Sequence, residues 1–118
     1  MIKVYCYDRC STCKKALAWL EAKGVEYQKI DIKGEHPDEK TLRALHKKSG
    51  LPLKKFFNTS GILYREQKLS EKLPTMTEDE QFKLLASDGM LVKRPLLVCD
   101  DAVIPGFKEE MWREVLGM

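Results

Sequence analysis

The sequence predicts an α/β fold made of a βαβ unit, a run of helices and a closing ββα unit, and three patterns carry that prediction. Ile2, Val4 and Cys6 alternate with Lys3, Tyr5 and Tyr7, the period of a strand. Cys13, Ala16, Leu17 and Leu20 fall at i, i+3, i+4 and i+7, so they share one face of a helix. Toward the other end, "PLLVC" and "AVI" are short apolar runs separated by Asp100-Asp101, as in a hairpin with a two-residue turn.

In chain order, the first strand breaks at Asp8-Arg9. Ser11 or Thr12 stands where a side-chain oxygen caps the helix that follows, and Gly24 ends that helix. A second strand is expected from Val25 to about Ile32, so residues 1–33 form the βαβ unit. Pro37 suits the first turn of a helix whose apolar stripe is Leu42, Leu45 and His46 and which stops near Gly50. The stretch "LPLKKFFNTSGILYRE" mixes short helical turns with Pro52 and Gly61, and Thr77-Glu78-Asp79-Glu80 has the form of a capping box. It opens a helix through Phe82, Leu84 and Leu85 that ends by Gly89. Residues 34–90 are therefore read as a helical insertion and 91–118 as the ββα unit, whose last helix places Trp112, Val115 and Leu116 on one face.

A chain of 118 residues suffices for a single domain with one continuous core, and no repeat or linker divides it. With 43% hydrophobic and 33% charged residues it is expected to fold, unlike a disordered segment. No apolar run approaches the roughly 20 residues that span a bilayer, and Met1-Ile2-Lys3-Val4 enters a strand pattern without a leader. The expected location is cytoplasmic, without a membrane partner. A net charge of +3 with both signs mixed along the chain argues against direct nucleic-acid binding, which needs a concentrated basic face.

The chemistry-bearing feature is "CYDRCSTCKK", in which Cys10-x-x-Cys13 sits at the junction of strand and helix. Residues i and i+3 of a first helical turn are neighbours, so the pair can close a disulfide. Unpaired N–H groups and the positive end of the helix dipole favour a thiolate there. Cys10 is expected to be the more exposed and more acidic sulfur, with Arg9, Lys14 and Lys15 as nearby positive charge, and Cys13 the partly covered second thiol. Thr12 and the helix amides are candidates to bind a developing anion. Two other readings stay open from the residues alone: small hydrophobes at a helix start, or part of a metal site. The metal reading finds only Cys6, Cys99, His36 and His46 as further ligands and no second ligand pair, so no metal is expected. Cys6 and Cys99 read as buried thiols, His36 and His46 as surface or packing residues.

A second candidate is Arg94-Pro95, just before a strand. The chain alone allows either a trans proline opening an edge strand or a cis proline that brings Arg94 and the Pro95 backbone toward the first helix. In the second case Arg94 offers a fork of donors to an oxyanion or a carboxylate.

Taken together, "CSTCKKALAWLEAKGV", "KKFFNTSGILYRE", "SDGMLVKRPLLV" and "GFKEEMW" resemble, in order and over nearly the entire chain, the arsenate-reductase-related family, ArsC with its Spx-like relatives. The resemblance implies a thioredoxin-like fold, a mixed four-stranded sheet carrying a helical insertion, with Cys10 as nucleophile and Arg94 before a cis Pro95 beside it. Arsenate reductases of this kind hold their oxyanion with three arginines. Here Lys54 stands at one of those places and the segment "IPGFKEE" has no arginine, which argues against arsenate itself. Cys13 resembles the second thiol of the Spx-type pair. The resemblance thus implies a thiol-dependent reductase of an oxidised small molecule or glutathione mixed disulfide. Cys10, Cys13 and Arg94 would be catalytic, and Thr12, Lys54 and Pro95 would contact substrate. It implies no bound cofactor, glutathione or thioredoxin as electron donor, and thioredoxin or glutaredoxin as possible partners. The alternative it implies is an Spx-like redox sensor that binds RNA polymerase, with Gly50 next to the contact position. Such regulators carry a C-terminal extension beyond the point that corresponds to Met118, which puts that reading second.

Overall fold

The computed structural model describes residues 1–118. Strand β1 (Lys3–Cys6) pairs in parallel with β2 (Gln28–Asp31), the two joined by helix α1 (Ser11–Ala22). Strands β3 (Leu96–Val98) and β4 (Val103–Pro105) form an antiparallel hairpin, and β3 lies antiparallel to β1. The sheet is therefore mixed, in the order β2-β1-β3-β4. The hairpin turn holds Asp100-Asp101, flanked by the Cys99 N–H donating to the Ala102 carbonyl at 2.8 Å. Between β2 and β3 every regular element is helical: α2 (Glu39–Ser49), α3 (Ile62–Glu66), α4 (Leu69–Lys72) and α5 (Glu78–Ser87), with 3-10 turns at Leu53–Phe56, Leu73–Thr75 and Gly89–Leu91. Helix α6 (Glu109–Val115) closes the chain. No helix is long and apolar enough to cross a membrane.

Two boundaries depart from the sequence expectation, each for a local reason. Gly24, at φ +70°, wraps the end of α1 so that its N–H and that of Val25 donate back to Glu21 and Leu20. Residues 25–27 are thus spent in turning, and β2 begins at Gln28. Helix α2 begins after Pro37, because the Asp38 carboxylate accepts the Thr41 N–H at 2.8 Å and makes Asp38 the cap. At α5 the expected capping box is present, with Glu80 N–H to Thr77 Oγ1 at 3.1 Å and Thr77 N–H to Glu80 Oε1 at 2.9 Å.

The expected single core is instead two layers, because both faces of the sheet are covered. Strand alternation sorts them: Leu96 and Val103 face the insertion, whereas Val4, Cys6, Leu97 and Ile104 face α1 and α6. On the α6 side Trp112 is fully buried and its Nε1–H donates to the Gly106 carbonyl at 3.0 Å. On the insertion side Gly89 is pressed against the end of β2, leaving no room for a Cβ beside the Ile32 carbonyl.

Three backbone contacts tie together segments that are distant in the chain. Lys93 N–H donates to the Phe56 carbonyl at 2.7 Å and Asn58 N–H to the Leu91 carbonyl at 2.8 Å, stitching the 53–58 stretch to the residues before β3. Gly106 N–H donates to the Pro95 carbonyl at 2.8 Å, which adds the end of β4.

Candidate active site at the start of the first helix

The chain leaves β1 at Cys6 and turns so that the Cys10 N–H donates to the Tyr7 carbonyl at 3.0 Å. It then enters α1 with Cys10 itself in the capping position, at φ −91° and ψ 116°. The expectation of a Ser11 or Thr12 cap is corrected: both lie inside the helix, and the Cys10 Sγ accepts the Cys13 N–H at 3.3 Å. A sulfur in this place takes over an otherwise orphaned N–H and faces the positive end of the helix dipole. Cys13 lies one turn further, buried, with its Sγ accepting the Tyr7 N–H at 3.5 Å.

These surroundings separate the two thiols. Burial acts to raise the pKa of Cys10, but it is outweighed by hydrogen bonds from the Cys13 thiol and the Cys13 N–H, the Arg94 charge and the Thr12 N–H, and the net shift is downward. Burial pushes Cys13 up to about 12, the Tyr7 N–H opposing it and the proximity of Cys10 reinforcing it. Cys6 and Cys99, both buried, are also raised, chiefly by desolvation. All four thiols are free, so a reduced chain presents one acidic sulfur backed by a protonated one.

Arg94 supplies the charge that Arg9, Lys14 and Lys15 were expected to supply; those three side chains are exposed and line neither opening described below. The Arg94–Pro95 bond is cis. The guanidinium lies over the Tyr7 ring at 5.3 Å, one Nη donates to the Met90 carbonyl at 3.4 Å, and the buried Nε has no partner. No carboxylate pairs with Arg94, so its fork keeps donors for an acceptor from outside the chain.

Cys10, Thr12 and Arg94 line one groove of about 740 Å³ together with Tyr7, Leu63 and Met90. Thr12 and Arg94 also line an adjoining cleft of about 610 Å³, and Lys54 is found in that cleft, not in the groove. Pro95 is buried and lines neither. His36 pairs through Nε2 with the Ala86 carbonyl at 2.9 Å, and His46 packs edge-on to Phe56 and Phe82; both belong to the insertion side. Sequence reading missed Tyr7 and Lys93. Tyr7 stands directly before the Asp8-Arg9 break, where a ring at the end of a strand is free to face the loop region; Lys93 precedes Arg94 and carried no separate signal.

A family model described as the ArsC family matches residues 5–115. The chain belongs to the ArsC family. The uncharacterized protein YusI of Bacillus subtilis is 56% identical over 110 residues, covering 93% of each chain. The crystal structure of an ArsC family related protein from Bacteroides fragilis superposes with a TM-score of 0.94 at 51% identity, over 97% of this chain and 96% of that one. An arsenate reductase from Vibrio cholerae gives a TM-score of 0.80 at 25% identity, over 98% and 95%. The global transcriptional regulator Spx of Listeria monocytogenes is 23% identical over 116 residues, 98% of this chain and 87% of its own length. The ArsC-family fold is thioredoxin-like, and the order β2-β1-β3-β4 with α1 crossing from β1 to β2 is how this chain builds it.

Proposed function

We propose that the protein is a thiol-dependent oxidoreductase that reduces an oxidised small molecule or a mixed disulfide of a small thiol in the cytoplasm. One observation carries the reading: the Cys10 sulfur is the cap of α1, depressed in pKa, with a protonated Cys13 one turn behind it. The Cys10 thiolate attacks a sulfur of the substrate disulfide, forming a Cys10–S bond while the other half leaves as a thiolate. Cys13, on losing its proton, then attacks the Cys10 sulfur, releases the bound half and closes the Cys10–Cys13 disulfide. An external dithiol of the thioredoxin kind, or two small thiols such as glutathione, returns both to thiols. Arg94 offsets the negative charge that passes along this line of sulfurs.

Steady-state reduction assays on wild type, Cys10→Ser and Cys13→Ser test the reading. Turnover is expected to vanish in Cys10→Ser, and full activity there would reject the assignment. An active Cys13→Ser would identify a small thiol as the resolving group. The likeness to Spx along 98% of the chain favours a second reading, a redox sensor that binds RNA polymerase. Capture of the polymerase by the oxidised but not the reduced chain would select it over the enzyme.

A further inference from the structure

Cys6 is a thiol beside the candidate active site that the reaction above leaves unused. Strand alternation turns its side chain toward α1, together with Val4, and it is 1% exposed. Cys13 enters the same layer from α1 and is also 1% exposed. One hydrogen bond bounds their separation. The Tyr7 N–H donates to the Cys13 Sγ at 3.5 Å, and that nitrogen is bonded to the Cys6 carbonyl carbon. Only two bonds lie between it and the Cys6 Cα, so the Cys13 Sγ is within about 6 Å of the Cys6 Cα. A disulfide spans Cα atoms about 4.4–6.8 Å apart, and a sulfur this close to its neighbour's backbone meets that scale.

From its own backbone Cys13 donates its N–H to the Cys10 Sγ at 3.3 Å, so Cys13 stands between two free thiols, one buried and one at the surface. Cys99 is outside this group: the register sets Val98 across from Lys3, at the far end of β1 from Cys6. Exchange among the three sulfurs has a preferred direction, because the sulfur that best carries negative charge is the better leaving group. At the cap of α1 that sulfur is Cys10, whereas Cys6 and Cys13 lie in hydrocarbon, where a thiolate is costly. A Cys10–Cys13 bridge consumes the ionisable sulfur. A Cys6–Cys13 bridge joins the two buried ones and leaves Cys10 free.

We propose that Cys6 is a third redox thiol, which takes over the Cys10–Cys13 disulfide as a buried Cys6–Cys13 bridge and returns Cys10 as a thiolate while the chain stays oxidised. The first disulfide comes from the reductase reading, on which this rests. Cys6 releases its proton to water and attacks the Cys13 sulfur. The Cys6–Cys13 bond forms, the Cys10–Cys13 bond breaks, and the electron pair of the broken bond leaves on Cys10. One S–S bond replaces another, so the step needs no oxidant beyond the substrate disulfide that made the first bridge. The freed Cys10 thiolate then takes up half of a second substrate disulfide, and the other half leaves as a thiolate. Run backward, the exchange brings the bridge out to Cys10, where an external thiol reduces it.

Trypsin separates the sulfurs: cleavage after Lys3, Arg9 and Lys14 places Cys6 in the peptide Val4–Arg9, and Cys10 with Cys13 in Cys10–Lys14. The reduced full chain is treated with excess 2-hydroxyethyl disulfide, quenched in acid, unfolded, alkylated, digested and mapped by mass. The two peptides are expected to be joined through Cys6 and Cys13, with Cys10 alkylated or carrying a hydroxyethylthio group. The joined share should grow as the pH rises through the Cys10 midpoint, because the exchange releases a proton. In Cys6→Ala the bridge should stay inside Cys10–Lys14, and alkylation of Cys10 in the folded, oxidised chain should fall about tenfold or more below wild type. A wild-type bridge confined to Cys10–Lys14, or a joined pair found only in covalent dimers, overturns the inference and leaves the reductase reading standing. If the small disulfide modifies no cysteine, the reductase reading falls. Diamide oxidation of Cys10→Ser then judges the buried pair alone: a Cys6–Cys13 link within one chain supports it as a redox pair, and its absence overturns the inference.

Discussion

On the insertion side of the sheet, 15 buried residues form an aliphatic and aromatic layer without a thiol, whereas the α1/α6 side buries nine residues, of which three are cysteines. Cys10 packs against that second layer as well, so every sulfhydryl of the chain is gathered on one face. The difference separates two tasks. The larger layer supplies most of the apolar burial, which is the main stabilising contribution. The smaller one encloses a protonated Cys13 in hydrocarbon and presents Cys10 at its edge. A sheet does this cheaply, since neighbouring residues of one strand point to opposite faces, as Leu96 and Leu97 do.

This division can be broken first where it is most tightly built. Gly89→Ala would place a methyl group on the Ile32 carbonyl oxygen and 2.8 Å from His36 Cβ. A loss of about 4 kcal/mol or more is expected, seen as a large drop in the urea midpoint or as insoluble protein. Next, Leu85→Ala, deep in the insertion layer, should cost about 2–5 kcal/mol in urea unfolding while leaving the pH midpoint of Cys10 alkylation where it was. A moved midpoint would show that the two sides are not separable.

Smaller effects sharpen the chemistry of the other face. Alkylation measured against pH should give a Cys10 midpoint below that of a free thiol, so its modification stays fast as the pH falls toward 7. Cys13, Cys6 and Cys99, held protonated, should lag above the free-thiol range. In Arg94→Gln the thiolate loses a facing positive charge, so the Cys10 midpoint should rise and its rate at pH 7 fall severalfold. The smallest effect belongs to the surface of the insertion: Thr77→Ala removes a capping-box oxygen and should cost about 1 kcal/mol, without touching Cys10.

Much of this was readable in the residues. Alternation around Val4 and the stripe from Cys13 to Leu20 marked β1 and α1, because periodicity is local and each element satisfies it alone. Thr77 and Glu80 announced their capping box for the same reason. The cap of α1 was misread: Ser11 and Thr12 have the usual acceptor oxygens, and nothing local shows that a cysteine one residue earlier takes the position. The basic cleft was invisible, because Lys54 and Lys55, Lys93, and Lys108 lie in separate stretches of the chain and become a cluster only when folded.

By itself, then, the sequence determined the order of strands and helices and the i, i+3 spacing of Cys10 and Cys13, both set by interactions within a turn or two of backbone. Which sulfur ionises, which cation faces it and where unpaired lysines gather were decided by the tertiary structure. Charge–charge energies depend on distance through space, and the hydrogen bonds of Lys93 and Gly106 tie together segments that are far apart in the chain.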